Sequence, residues 1–125
     1  MVKNGQRLLD LLDRTPLKPR AALWYHDLDM DRWRLWVVPG GQLGLRSLYE
    51  ALANVFATPE ARDLQISSSA VQFIEANHPV IEALATDSRV RNGVPLFLDS
   101  NLMNGFFVPE AFVLRAEAQP QEAAA

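Results

Sequence analysis

The chain of 125 residues contains no cysteine. This absence excludes disulfide bonds, thiolate zinc sites, iron–sulfur clusters and cysteine nucleophiles. Lysine is also scarce, with only Lys3 and Lys18, and the net charge is −3, which argues against a large phosphate-binding surface. No apolar run approaches the ~18 residues of a membrane span, and no signal-like apolar core follows the first residues. We therefore expect a cytoplasmic protein with no membrane partner.

The composition is that of a globular domain, with 49% apolar and 22% charged residues. The length fits one domain, which we place at residues 1–115. Residues 116–125 are rich in alanine and have nothing to bury, which predicts a disordered tail. The charge is uneven, because the first 46 residues carry eight Lys or Arg and five Asp, whereas the remainder carries four Arg and ten acids.

Aromatic residues concentrate between residues 20 and 38, which include all three tryptophans (Trp24, Trp33 and Trp36). Two apolar runs flank the acidic segment 27–31, a pattern that predicts a β-hairpin. Strand alternation puts Trp24 and His26 on one face and Tyr25 on the other, while the pairing register stays open. In either register both faces carry large apolar groups. We therefore expect helices, a later segment or another chain to cover the second face.

Apolar spacing and proline positions predict the remaining elements. Helices are expected at residues 4–14, 45–56 and 79–85, with a single turn at 59–63. A capping box of Ser47 and Glu50 would start the second helix later, and His78 is expected to cap the third, ahead of Pro79. Strands are expected at residues 70–75, 94–98, 102–108 and 111–115. Turns are expected at 99–101 and 109–110, and a bulge or tight turn at Asn104-Gly105. One broken helix over residues 70–85 is the alternative.

The order of these elements predicts an α+β domain. Its sheet would be mixed or antiparallel, with about six strands, and its three helices would lie mostly on one face.

A group of small bacterial proteins of uncharacterised function resembles this chain in two segments. The first is Arg20-Ala21-Ala22-Leu23-Trp24 with the aromatic run that follows, and the second is Asn101-Leu102-Met103-Asn104-Gly105 with its apolar flank. The resemblance covers about residues 20–115. It implies an α+β fold in a bacterial cytoplasmic protein and implies no activity.

The acids Asp27, Asp29 and Asp31 resemble the opening of a calcium-binding loop. That loop requires glycine at its sixth position and glutamate at its twelfth, where this chain has Arg32 and Val38. The match therefore fails, and a polar hairpin turn accounts for the acids. Weak Mg²⁺ or Ca²⁺ binding by the three aspartates is kept as an alternative, and no cofactor is expected.

Our leading hypothesis is a small non-enzymatic interaction or accessory protein. It would contact a protein partner, or a second copy of itself in a homodimer, through the aromatic sheet, since Trp, Tyr and Arg dominate interface hot spots. The residues predicted to make this contact are Trp24, Tyr25, Arg34, Trp36 and Phe107.

Two alternative functions remain open. The first is a nucleic-acid-binding module that uses Arg20, Arg32, Arg34 and the tryptophans, with bases stacked on the indole rings. The second is an enzyme with a site near His26 and residues 27–31. Because the sequence contains no complete catalytic set, an enzyme is the less favoured interpretation.

Overall fold

A five-stranded mixed sheet forms the centre of the protein in a computed structural model, which describes residues 1–41, 43–90 and 94–117. The helices are α1 (Val2–Leu12), α2 (Leu45–Phe56), α3 (Pro59–Arg62) and α4 (Pro79–Ala85). The strands are β1 (Ala21–Asp27), β2 (Arg32–Val38), β3 (Val71–Phe73), β4 (Leu96–Met103) and β5 (Phe106–Ala116). Their order is β3-β2-β1-β5-β4, with β3 parallel to β2 and all other pairs antiparallel. The predicted α+β class and mixed sheet are confirmed.

The predicted aromatic hairpin is the β1–β2 pair. Its register places Trp24 opposite Leu35 and Tyr25 opposite Arg34. In the turn, the Asp27 carboxylate accepts hydrogen bonds from the backbone N–H groups of Asp29 (3.0 Å) and Met30 (3.3 Å). The acids therefore build a polar turn, as aspartate side chains commonly do.

Helices α1, α2 and α3 cover one side of the sheet, which we call the first face. Leucines of α1 and α2 pack there on Trp24, Leu35 and Val37. Trp24 is only 4% exposed, and its indole N–H donates to the carbonyl oxygen of Met1 (3.1 Å).

Helix α4 covers the opposite side, the second face, with Val80, Ile81 and Leu84. Trp36 packs into this cluster, and its ring stacks on Tyr25 with the centroids 4.2 Å apart. The expectation of a covered second face is confirmed, and three of the four helices lie on the first face.

Helices α2 and α4 begin directly after their N-cap residues, Gly44 and His78. Helix α2 begins at Leu45 after Gly44, so the later start with a Ser47 and Glu50 capping box is wrong. Helix α4 begins as predicted, with Pro79 in its first turn and His78 as its N-cap. Burial lowers the pKa of His78, whose Nδ1 accepts a hydrogen bond from the Val80 N–H (3.2 Å). Residues 70–85 are therefore a strand followed by a helix.

The predicted three-stranded meander at the C-terminal end is instead one long hairpin, β4–β5. The predicted turns at residues 99–101 and 109–110 lie inside strands, whereas Asn104 and Gly105 form the actual turn. Pro109 fits inside β5 because the pairing with β1 reaches only from Ala116 to Ala111, so no β1 carbonyl needs its missing N–H.

The C-terminal end of the described chain continues the sheet. Strand β5 extends to Ala116, and the Glu117 N–H donates to the Arg20 carbonyl (2.9 Å), while the rest of the predicted tail, residues 118–125, lies outside the described residues. In the described part of the chain, no helix has the length and apolar character needed to cross a membrane.

Candidate functional site

Large apolar side chains remain exposed on one side of the β4–β5 hairpin. Phe97 is 47% exposed, Leu102 is 72% exposed and Phe107 is 52% exposed. Leu102 and Phe107 are directly opposite each other, as are Phe97 and the partly buried Phe112. We name this surface the hairpin face and define it by six residues: Phe97, Asp99, Leu102, Phe107, Glu110 and Phe112.

A bend in β4 brings these residues to one surface. Leu98 and Met103 are five residues apart, yet both are buried in the α4 cluster, which a regular alternating strand would not allow. Ser100 lies between them with a φ of 53°, in the left-handed region, and this residue marks the bend. As a result Leu102 and Phe107 turn away from α4, on the same side as Phe97.

The aromatic surface continues from the hairpin face onto the β1–β2 hairpin. Ring centroids are separated by 4.8 Å between Phe97 and Phe112, and by 5.7 Å between Phe112 and Trp33. Trp33 in turn stacks on His26 at 4.9 Å. The first face therefore carries a contiguous aromatic strip that extends beyond α1.

His26 lies between two carboxylates at the end of this strip. Its Nδ1 is 3.3 Å from Glu110 Oε1, and its Nε2 is 3.1 Å from Asp31 Oδ1. Since a carboxylate only accepts hydrogen bonds, the ring donates to both partners only when it is protonated. Both ring nitrogens already contact protein groups. His26 therefore links the β1–β2 turn to β5, and neither nitrogen is free to act as a base on a substrate.

The three turn aspartates do not converge. Asp27 caps the turn and lies 3.5 Å from Arg34 Nε, Asp31 faces His26, and Asp29 is exposed. Across the described residues, no group of three or more His, Asp or Glu side chains is placed to hold a metal ion.

The residues predicted to contact a partner are divided between the two faces. Trp24 and Trp36 are buried by the chain's own helices, and Trp36 is 6% exposed. Tyr25 and Arg34 are partly buried neighbours on the second face. Burial, followed by the charges of Asp27 and Asp29, raises the pKa of Tyr25, so its phenol is uncharged at neutral pH. Phe107 is the one member of the set that belongs to the hairpin face.

The arginines predicted for nucleic-acid binding are also separated. Arg32 and Arg34 share the second face, away from Trp24 and Trp33. Arg20 lies at the other end of the hairpin, where its N–H donates to the carbonyl oxygen of Val38 (2.9 Å). Seven strand residues separate these ends, a distance of about 23 Å. The structure therefore does not gather these residues into one basic, aromatic surface.

An open cavity of about 560 Å³ lies near the base of the sheet. The Arg115 guanidinium on its wall makes two hydrogen bonds to the Asp13 carboxylate, at 2.7 and 2.9 Å, and one to the carbonyl of Pro19 at 2.8 Å. The hydrogen bonds to Asp13 raise the pKa of Arg115. Its charge is therefore already neutralised by the protein itself.

Sequence reasoning missed Phe97 and Leu102. The sequence predicts that Leu102 begins a separate strand, and the face on which each of the two residues lies depends on the bend at Ser100. The available signal was the adjacent pair Phe106 and Phe107, because neighbouring strand residues point to opposite faces and one of them must lie outside the α4 cluster.

The comparisons with known proteins identify no relative. No protein-family model matches the chain, and no curated protein or solved structure matches it either. The resemblance to small bacterial proteins stays an expectation, and the hairpin face is the feature of the described residues that points to a function.

Proposed function

We propose that this chain is an interaction protein that binds another protein through the hairpin face. The observation that supports this most directly is the exposure of Phe97, Leu102 and Phe107 together on one side of a single hairpin. The exposed part of each of these three side chains contributes on the order of 100 Å² of apolar surface, so together they form a patch of roughly 300 Å². Patches of that size on a monomer are often functional.

The size of the patch suggests a role as the centre of a larger interface. A specific interface buries about 800 Å² on each partner, with apolar anchors surrounded by a polar rim. The partly buried Phe112 and Trp33 extend the apolar centre, and polar groups of the β1–β2 turn lie beside it. Aromatic anchors of this kind carry most of the energy in measured interfaces.

We expect a partner to contact the side chains on the face of the hairpin and not to pair with the backbone at its edge. Among the described strands, β4 pairs with β5 alone, so its other edge has no strand partner in this part of the chain. However, the Asp99 N–H donates to Asn101 Oδ1 (3.1 Å), and the bend at Ser100 interrupts the strand at its middle. Bends and occupied backbone donors are devices that prevent pairing with another strand. A partner is therefore expected to pack on the side chains.

The experiment is affinity purification of the tagged full-length chain from its native cells. We expect Leu102→Ser and Phe107→Ser to lose a specific co-purifying protein, because each removes an apolar anchor. Leu45→Ser is the matched control, since Leu45 on α2 is 63% exposed but lies outside the hairpin face. The captured protein is then purified and its affinity for each variant is measured. Equal binding by all variants, or loss only in Leu45→Ser, would contradict the proposal.

A further inference from the structure

Two acids occupy the middle of the hairpin face. Asp99 and Glu110 are directly opposite each other in the ladder. The Phe97 and Phe112 pair lies on one side of them, and Leu102 lies on the other with Phe107. The face thus alternates along the hairpin from apolar to acidic to apolar.

This arrangement is unfavourable for the isolated chain. Like charges directly opposite in an antiparallel pair are destabilising. Glu110 faces His26, but His26 also faces Asp31, and Asp99 accepts only a neutral hydrogen bond from the Ser100 hydroxyl (3.2 Å) among the described contacts. The His26 imidazole is therefore shared by the Glu110 and Asp31 carboxylates, and among the described contacts no cationic side chain pairs with Asp99.

A partner that covers the apolar pairs must also cover the acids. Removing a carboxylate from water without a compensating charge is costly, so an entirely apolar partner surface would lose most of what the aromatic contacts contribute. In a partner with a lysine or arginine between two apolar side chains, the cation would pair with the acids and the apolar side chains would pack on the apolar pairs on either side. Asp99 lies two residues from Phe97 and three from Leu102, which predicts a spacing of about 7 Å between the cation and the apolar group on one side and about 10 Å on the other.

On this basis, and given the proposed function, we propose that the hairpin face recognises a cationic amphipathic segment of another protein, with Lys or Arg flanked by apolar side chains. A second copy of this chain fits less well, because a two-fold interface would place Asp99 and Glu110 against the same acids of the other copy. Nucleic acid fits less well because its phosphates carry the same sign of charge.

The test is selection of a displayed random peptide library on the immobilised full-length chain. Peptides that also bind the Phe107→Ser variant are discarded. We expect the remaining peptides to be enriched in Lys or Arg alternating with apolar residues. Their binding should weaken at high salt, and Asp99→Asn should reduce it about fivefold, which is the effect of losing roughly 1 kcal/mol. Glu75→Gln removes an exposed charge elsewhere and should leave binding unchanged.

The outcomes separate this inference from the proposed function. Neutral or acidic peptides that still require Phe107 would overturn the cationic partner and leave protein binding intact. If no peptide requires Phe107 and affinity purification also finds no dependence on it, both proposals fail. Self-association in light scattering that disappears in Phe107→Ser would identify a second copy as the partner and would also overturn the inference.

Discussion

His78 combines a capping role with an apolar environment. Its ring packs at steep angles against Trp36 and Phe106, with centroids 5.1 and 4.9 Å away, while Nδ1 accepts the Val80 N–H. Only an unprotonated nitrogen can accept that bond. The cap was predictable because His78 directly precedes Pro79, whereas the aromatic neighbours come from distant parts of the chain.

We predict that His78 makes stability depend on pH. Because burial lowers the pKa of His78 in the folded chain, the unfolded state binds this proton more readily as the pH falls below about 6.5. The stability that neutral His78 contributes is present above that pH and is lost below it. Urea unfolding between pH 7.5 and pH 5 should therefore show a steeper decline for wild type than for His78→Asn, which keeps a capping side chain. His26 is present in both proteins, so equal slopes would contradict this prediction.

Gly5 allows α1 to approach the sheet closely. A Cβ atom at this position would lie 2.6 Å from Trp24 Nε1 and 2.7 Å from Leu114 Cδ1. These contacts are too short, and both neighbours belong to the buried core. This role is not predictable from the sequence, since the close approach exists only after α1 has packed on β1 and β5.

Gly5→Ala should accordingly destabilise the protein by about 1–3 kcal/mol through overpacking, although alanine is a better helix former. Gly44→Ala is the control for added volume, because a Cβ there meets nothing within 4 Å, and its effect should be limited to a weaker N-cap of α2. Thermal unfolding followed by circular dichroism measures both. A Gly5→Ala protein as stable as wild type would show that α1 is less closely packed than described.

The β4–β5 hairpin is the element that sequence reasoning divided incorrectly. Asp, Ser, Asn and Pro are common in turns, so the sequence predicts turns at residues 99–101 and 109–110. In the structure Ser100 and Pro109 lie between two strand pairs, Asp99 with Glu110 and Asn101 with Val108, and the hairpin bends at Ser100 without breaking. Strand pairing with β1 and packing against α4 override the local preference, and neither interaction is visible in a short sequence window.

At this scale we predict opposite effects of one substitution on stability and on binding. Asp99→Asn removes the repulsion with Glu110 and should raise the free energy of unfolding by about 0.2–1 kcal/mol. The same substitution should lower the affinity of the hairpin face for the cationic partner. Glu75→Gln controls for the change in net charge and should alter neither quantity. A destabilised Asp99→Asn protein would indicate that Asp99 has a structural role instead.

For the whole molecule, the distribution of apolar surface follows from which sheet faces are covered. The sequence correctly predicted the α+β class, the aromatic hairpin and the need for cover on both faces. It placed the exposed surface on the tryptophans, whereas Trp24 and Trp36 are buried and the exposed groups lie on β4 and β5. The number of aromatic residues is a property of the sequence, but their burial depends on long-range register.

Nuclear magnetic resonance mapping tests the central claim most directly. The protein, at 14.0 kDa, is small enough for amide spectra of the full-length chain titrated with the selected peptide or the purified partner. If the hairpin face is the binding surface, the largest shifts will fall on residues 96–112, with smaller shifts near Trp33. Shifts centred on α2 around Leu45 and Tyr49, with residues 96–112 unchanged, would contradict the account.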